Sequence, residues 1–291
     1  MMAMRDLLLA LVVIVAWGVN FVVIKMGLHG VPPMLLGALR FTLAALPAVF
    51  FVPRPRIALR MLVLYGATIL LGQFVFLFTA MNVGMPAGIA SLVLQAQAFF
   101  TLGFARVFLG ERVRIWNLAG LAIAALGLVT IAAQSGGAMT LAGFALTICA
   151  AASWALGNIV TKRIGKVELV PLVVWGSLVP PLPFLALSFA LEGPARIEAA
   201  LGSLSGMSVF AIVYLAFIAT LVGYALWGRL LSRYPAAQVA PFSLLVPVIG
   251  IASSAVFLGE QMSGAEYLGA ALVMGGLVVN VFGGRFVRRA A

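Results

Sequence analysis

Along the chain, long apolar runs alternate with short polar breaks, and there are ten such runs. They lie near 6–27, 34–52, 61–82, 86–108, 114–133, 140–161, 169–191, 206–228, 236–258 and 264–284. As helices rising 1.5 Å per residue, each is long enough to cross about 30 Å of hydrocarbon. The breaks carry turn residues: Gly30 to Pro33, Pro53 to Arg56, Gly84 to Pro86, Gln134 to Gly137, Glu192 to Pro194, and Tyr234-Pro235. None is long enough to hold a soluble domain. The pattern predicts an all-α polytopic membrane protein with ten transmembrane helices. The first run contains Leu7 to Val15, which has the size of a signal-peptide core. No small-residue cleavage site with a polar start follows it, so it is expected to be retained as a span.

Composition points the same way. Of 291 residues, 64% are hydrophobic and 9% charged, whereas a soluble domain carries about a quarter charged residues. The single cysteine, Cys149, excludes an internal disulfide.

One stretch is written twice. It runs from MPAG at Met85–Gly88 through FLGE at Phe108–Glu111 to Gly120 and Gly127. Shifted by 149 residues it becomes YPAA at Tyr234–Ala237, FLGE at Phe257–Glu260, then Gly269 and Gly276. Repetition at about half the chain length predicts two homologous halves, 1–137 and 138–291, each of five helices and together one integrated transmembrane domain. Five is odd, so the second half must enter the membrane from the opposite face. Such inverted repeats are a carrier architecture, with a central site between the halves.

The basic residues orient the spans. Counting connections alternately, fifteen of the eighteen fall on the side of the N-terminus, among them Arg54, Arg56 and Arg60, Arg112 and Arg114, Lys162 to Lys166, and Arg285 to Arg289. Lys25 and Arg196 fall on the other side, and Arg40 within the second span. Basic loops stay in the cytoplasm. The expected location is therefore the cell inner (cytoplasmic) membrane, multi-pass, with both termini cytoplasmic. Charges dispersed over short loops beside helix ends do not make a nucleic-acid surface.

These residues resemble a family. Paired apolar helices joined by FLGE, with glycines in the following span, are similar to the EamA-type members of the drug/metabolite transporter superfamily. The second copy, from AAQVAPFSLLVPVIG through FLGE to Gly276, matches most closely; the first departs from it with Ala98, which stands opposite Pro247. The resemblance covers the chain as two five-helix halves and is greatest to the amino-acid exporters of the YddG type. It implies a ten-span carrier of small metabolites.

Polar and aromatic residues at mid-depth mark a cavity or a helix contact. The first span reads WGVNFVVIK from Trp17 and the sixth WALGNIVTK from Trp154. Asn20 and Asn158 lie about one turn past each tryptophan, on roughly the same face. Trp116, Trp175 and Trp227 lie near span ends and fit an interfacial belt. The third span offers Gln73 with Phe74 and Phe78, and the fourth Ser91 and Gln95. Gln97, turned about 200° from Gln95 on a regular helix, is expected to face elsewhere. In the ninth span, Pro241 and Pro247 remove backbone donors near Ser243. The candidate substrate-binding residues are Trp17, Asn20, Phe74, Phe78, Ser91, Gln95, Trp154, Asn158 and Ser243, with the indole N–H groups of the two tryptophans available to a substrate.

The charges exclude several classes. No Asp or Glu falls at mid-membrane, so obligate proton exchange lacks a relay and downhill facilitation is expected. Lys25, Arg40 and Lys162 are expected near span ends, which leaves no central cation for phosphate. The only histidine, His29, lies in a loop, so neither a His-based triad nor a His-rich metal site is available. The chain is expected not to be an enzyme, to have no catalytic or metal site and no cofactor, and to act on a small neutral or zwitterionic solute. Its expected partners are that substrate, amino acids or similar metabolites, and the lipid bilayer, with no nucleic acid, as a monomer or loose dimer. The leading function is export of amino acids, aromatic or otherwise apolar, by alternating access. The alternatives are a lipid or lipid-linked flippase and a non-transporting membrane accessory protein.

Overall fold

A computed structural model describes residues 2–134 and 139–290. The boundary expected at 137/138 lies outside the described residues. The helices are α1 (Met4–Leu28), α2 (Pro33–Val49), α3 (Leu59–Asn82), α4 (Ala87–Leu109), α5 (Ile115–Ala132), α6 (Leu141–Ile164), α7 (Leu169–Glu192), α8 (Gly206–Arg233), α9 (Ala240–Leu258) and α10 (Gly264–Ala290). A short helix, Pro194–Gly202, joins α7 to α8. Among the described residues, nine helices are long and apolar enough to cross a membrane, and no strand occurs. The remaining run, the second in the chain, is α2, which at 17 residues is shorter than its hydropathy suggested. Pro32 and Pro33 open it, because proline is tolerated where the helix N–H has no partner anyway, and it ends two residues past Pro47. The protein is a polytopic, all-helical membrane protein.

Several helices are irregular, and two kinds of irregularity recur about 149 residues apart. A π-helical segment occupies Gly66–Gly72 in α3 and Tyr214–Val222 in α8. A 3₁₀ segment occupies Leu94–Ala96 in α4 and Ala240–Leu245 at the start of α9. Gly110 and Gly259, the glycines of the two FLGE motifs, end their helices in the left-handed region at φ 68° and 66°. There a glycine avoids the Cβ penalty. The π segments leave carbonyls to side chains of neighbouring helices: Trp17 Nε1 on α1 donates to the Ala219 carbonyl at 3.0 Å, and Ser153 Oγ on α6 to the Thr68 carbonyl at 2.9 Å.

Helices α5 and α10 cross through their repeated glycines. A Cβ on Gly120 would lie 2.6 Å from the Gly276 carbonyl oxygen, and one on Gly127 2.6 Å from that of Gly269. Only glycine permits this approach, which supplies the close backbone packing that holds helices together in lipid.

At one end of the bundle, side chains are tied to helix ends. Glu260 accepts hydrogen bonds from the Ala87 and Gly88 N–H groups, at 2.7 and 2.9 Å, at the start of α4. Glu192 accepts from the Met34 and Leu35 N–H groups at the start of α2. Lys25 Nζ donates to the Met81 carbonyl at 2.8 Å, and Thr140 Oγ1 to that of Val83. A carboxylate on unpaired helix N–H groups also meets the positive end of the helix dipole. Glu111, the repeat counterpart of Glu260, makes a different contact at the opposite end: a surface ion pair with Lys162 at 3.0 Å.

Candidate functional site

A cavity of about 420 Å³ lies between the helices, within the size range of small-ligand sites. Its wall draws on α1 through α4 and on α6 through α9. Of the nine candidate residues, seven line it: Trp17, Asn20, Phe74, Gln95, Trp154, Asn158 and Ser243. Phe78 and Ser91 stand behind the wall, fully buried. Phe78 packs on Phe74 with ring centroids 5.3 Å apart, and Ser91 donates to the Gly88 carbonyl at 2.7 Å where α4 meets Gly250.

Several expectations change. Trp227 lines the cavity instead of marking an interface; its ring lies 5.3 Å from that of Trp17, and Tyr224 lies 5.4 Å from Trp17 on the other contact. The Trp17 N–H is already committed to Ala219, so this indole offers a substrate its face and not its donor. Gly223 makes that placement possible, since a Cβ there would sit 2.5 Å from Trp17 Nε1. Gln97 lines the cavity together with Gln95. The 3₁₀ segment between them turns about 120° per residue and narrows their separation to about 120°, where a regular helix would hold them nearly opposite. Asn158 Nδ2 donates to Gln97 Oε1 at 2.9 Å and to Thr101 Oγ1 at 3.0 Å, tying α6 to α4.

Arg40 is the largest correction. It stands seven residues into a 17-residue helix, near mid-depth, and not at a span end. It is 3% exposed and lines the cavity, the one charged residue of the described wall. Its Nη2 donates to Thr220 Oγ1 at 3.1 Å, and the Thr220 hydroxyl in turn donates to the Leu215 carbonyl at 2.8 Å. The guanidinium carbon lies 4.1 Å from the Phe74 ring centroid and 5.1 Å from that of Phe41, where the ring quadrupole favours a cation. The sequence does carry the signal for Arg40: an ionisable residue inside an apolar run is a functional candidate by default. Tyr224 and Trp227 were findable as aromatics three residues apart on one helical face. By contrast, Lys162 sits at the surface as expected, paired with Glu111.

At one end the cavity is lined by Thr161 at the end of α6, Leu169 at the start of α7, and Leu231 at the end of α8. These positions are at the bundle end opposite Glu260 and Glu192. The site is thus a pocket reaching mid-depth from one side, with amide, aromatic and small apolar residues around one buried cation. It has the features of a binding site and none of the paired acid, base and nucleophile of a catalytic one.

The EamA-like transporter family profile matches residues 4–133 and 141–282. The chain belongs to the EamA-like transporter family. It is 51% identical over 296 residues to a "Probable amino-acid metabolite efflux pump" of Salmonella typhimurium, covering 100% of this chain and 99% of that protein. A protein of the same description from Escherichia coli is 49% identical, over 98% and 97% of the two chains. A solved crystal structure shares the fold with a TM-score of 0.64 at 21% identity, covering 97% of this chain and 98% of that one. As a member of this family the chain is a membrane transporter and not an enzyme, and the cavity is large enough to hold a small molecule.

Proposed function

We propose that the chain is an inner-membrane carrier that exports amino acids or closely related metabolites by alternating access. Ten spans form two inverted five-helix halves, with both termini in the cytoplasm. The observation that carries this reading is the cavity itself: its lining runs from the middle of the bundle to the end that holds Thr161, Leu169 and Leu231, while at the other end Glu260, Glu192 and Lys25 tie helix ends together. A shift of 149 residues relates Gly120 to Gly269 and Gly127 to Gly276. The contacts pair Gly120 with Gly276 and Gly127 with Gly269, as an axis in the membrane plane requires. The two FLGE glutamates differ, one clasping a helix start and one at the surface, which fits a state with one gate closed. Both relatives described above are named as amino-acid metabolite efflux pumps, and the wall of amides and aromatic faces suits a solute with a polar head and an apolar tail. Acidic residues are absent from the described wall, which supports facilitation down a concentration gradient.

The test is uptake of a panel of radiolabelled amino acids into proteoliposomes, beside protein-free vesicles and a fluorescent-lipid scrambling assay. Saturable amino-acid uptake without lipid scrambling is expected. Scrambling without amino-acid uptake would assign the cavity to a lipid, and neither activity would leave a non-transporting membrane protein.

A further inference from the structure

Among the described residues, four buried side-chain nitrogen or oxygen atoms have no hydrogen-bond partner: Asn20 Oδ1, Arg40 Nε, Arg40 Nη1 and Gln73 Oε1. All four belong to residues that line the central cavity. Burying such groups unpaired costs free energy, and for a cation the cost is larger. Their meeting at one cavity, with none elsewhere in the described interior, therefore points to a ligand and not to a packing fault. The two kinds of atom are complementary to opposite charges. Arg40 presents N–H donors only, and the two amide oxygens are acceptors only.

The surroundings hold these groups in place. Thr220 occupies one Nη2 position of Arg40 and is itself fixed by the Leu215 carbonyl, while the face of the guanidinium rests over Phe74. Nε and Nη1 are left for an anion, and the flat guanidinium suits a carboxylate. Asn20 and Gln73, on the neighbouring helices α1 and α3, are 8% and 4% exposed. Further along the wall, the faces of Trp17 and Trp227 and the ring of Trp154 offer an apolar surface.

We propose that Arg40, Asn20 and Gln73 form a head-group subsite for a zwitterion. Arg40 binds the α-carboxylate, the Asn20 and Gln73 oxygens accept from the α-ammonium, and the tryptophans take the side chain. This subsite rests on the amino-acid carrier reading and adds to it the residues that recognise the substrate class. It also explains how a cavity with a single buried cation admits solutes of no net charge: the amide oxygens offset the second head group without placing a carboxylate in the wall.

The test is competition in proteoliposomes bearing the full chain, with labelled L-phenylalanine and L-alanine as probes. Competitors are the unlabelled amino acid, its amide, which lacks the carboxylate, and its des-amino acid, 3-phenylpropionate or propionate. In the unsubstituted protein both analogues are expected to compete at least about tenfold more weakly than the amino acid, the loss typical of one charge-assisted contact. Arg40→Gln is expected to bring the amino acid and its amide within about threefold of each other, with Arg40→Lys intermediate. Asn20→Ala and Gln73→Ala are expected to narrow the gap to the des-amino acid instead. Equal competition by the amide in the unsubstituted protein overturns the subsite while leaving the carrier reading intact. So does Arg40→Gln weakening acid and amide by one common factor. Uptake of no amino acid at all overturns the carrier reading and the subsite with it. If Arg40→Gln yields no folded protein, the competition pattern of the unsubstituted protein and of Arg40→Lys decides.

Discussion

Glu260 is the side chain whose replacement should most change which face of the cavity opens. Its two oxygens hold the Ala87 and Gly88 N–H groups at 2.7 and 2.9 Å and so tie the end of α9 to the start of α4. A hydrogen bond to a charged group contributes about 1.5–3 kcal/mol, and Glu260→Gln removes the charge and one of the two acceptors. The closed face should therefore lose about 2 kcal/mol relative to the open one, which shifts that equilibrium about thirtyfold. Ser91 reports the shift: it is fully buried one turn along α4 from Ala87, and a Cβ on Gly250 of α9 would lie 2.6 Å from its own Cβ. In a Cys149→Ala background, Ser91→Cys should react slowly with an impermeant maleimide added outside intact cells. Adding Glu260→Gln should raise the labelling rate about thirtyfold. An unchanged rate in folded protein would refute the assignment of Glu260 to the outer gate.

Three further outcomes follow from the structure. Trp154→Ala, at a half-buried cavity residue, should alter the ratio of transport for aromatic against small amino acids while folded protein is retained; an unaltered ratio at normal expression places selectivity elsewhere. Gly120→Ala forces a Cβ against the Gly276 carbonyl and should cost about 1–3 kcal/mol, read as a lower Tm of detergent-solubilised protein. Gly103→Ala, where a Cβ meets nothing within 4 Å, should not lower it. Single cysteines at Lys166 and Ser203, both exposed, should label from opposite sides of the membrane in the Cys149→Ala background. Equal labelling would mean that α7 does not cross, which would leave the second half with an even span count.

The helical, membrane-embedded architecture was legible because hydrocarbon leaves no alternative: ten apolar runs must become helices, and the FLGE repeat marks equivalent turns. The paired glycines of α5 and α10 were visible as a spacing, and only the structure shows that they face each other. The break in α9 is announced by Pro241 and Pro247, whereas the matching 3₁₀ segment at Leu94–Ala96 has neither proline nor glycine. That hidden turn is why a regular-helix reading turns Gln97 away from the cavity. The π segments are silent too: Tyr214–Val222 has neither proline nor glycine, and the glycines that bound Gly66–Gly72 do not set it apart, so the partner that takes the Trp17 N–H stays hidden as well. Arg40 lies three residues from the middle of the 34–52 run and one from the middle of the helix that forms, Pro33–Val49, so its mid-depth place was already in the pattern. Position alone puts Trp227 at the interface, although its face of α8 turns inward beside Tyr224.

Counterflow tests the central claim most directly. Proteoliposomes are loaded with a high concentration of an unlabelled amino acid and diluted into a trace of the same labelled compound. A carrier that exposes one central site to each side in turn must exchange the two, so labelled amino acid should accumulate transiently above its outside concentration and then decay. Uptake that never exceeds the outside concentration would indicate a channel, and uptake no greater than in protein-free vesicles would contradict the assignment of an amino-acid carrier.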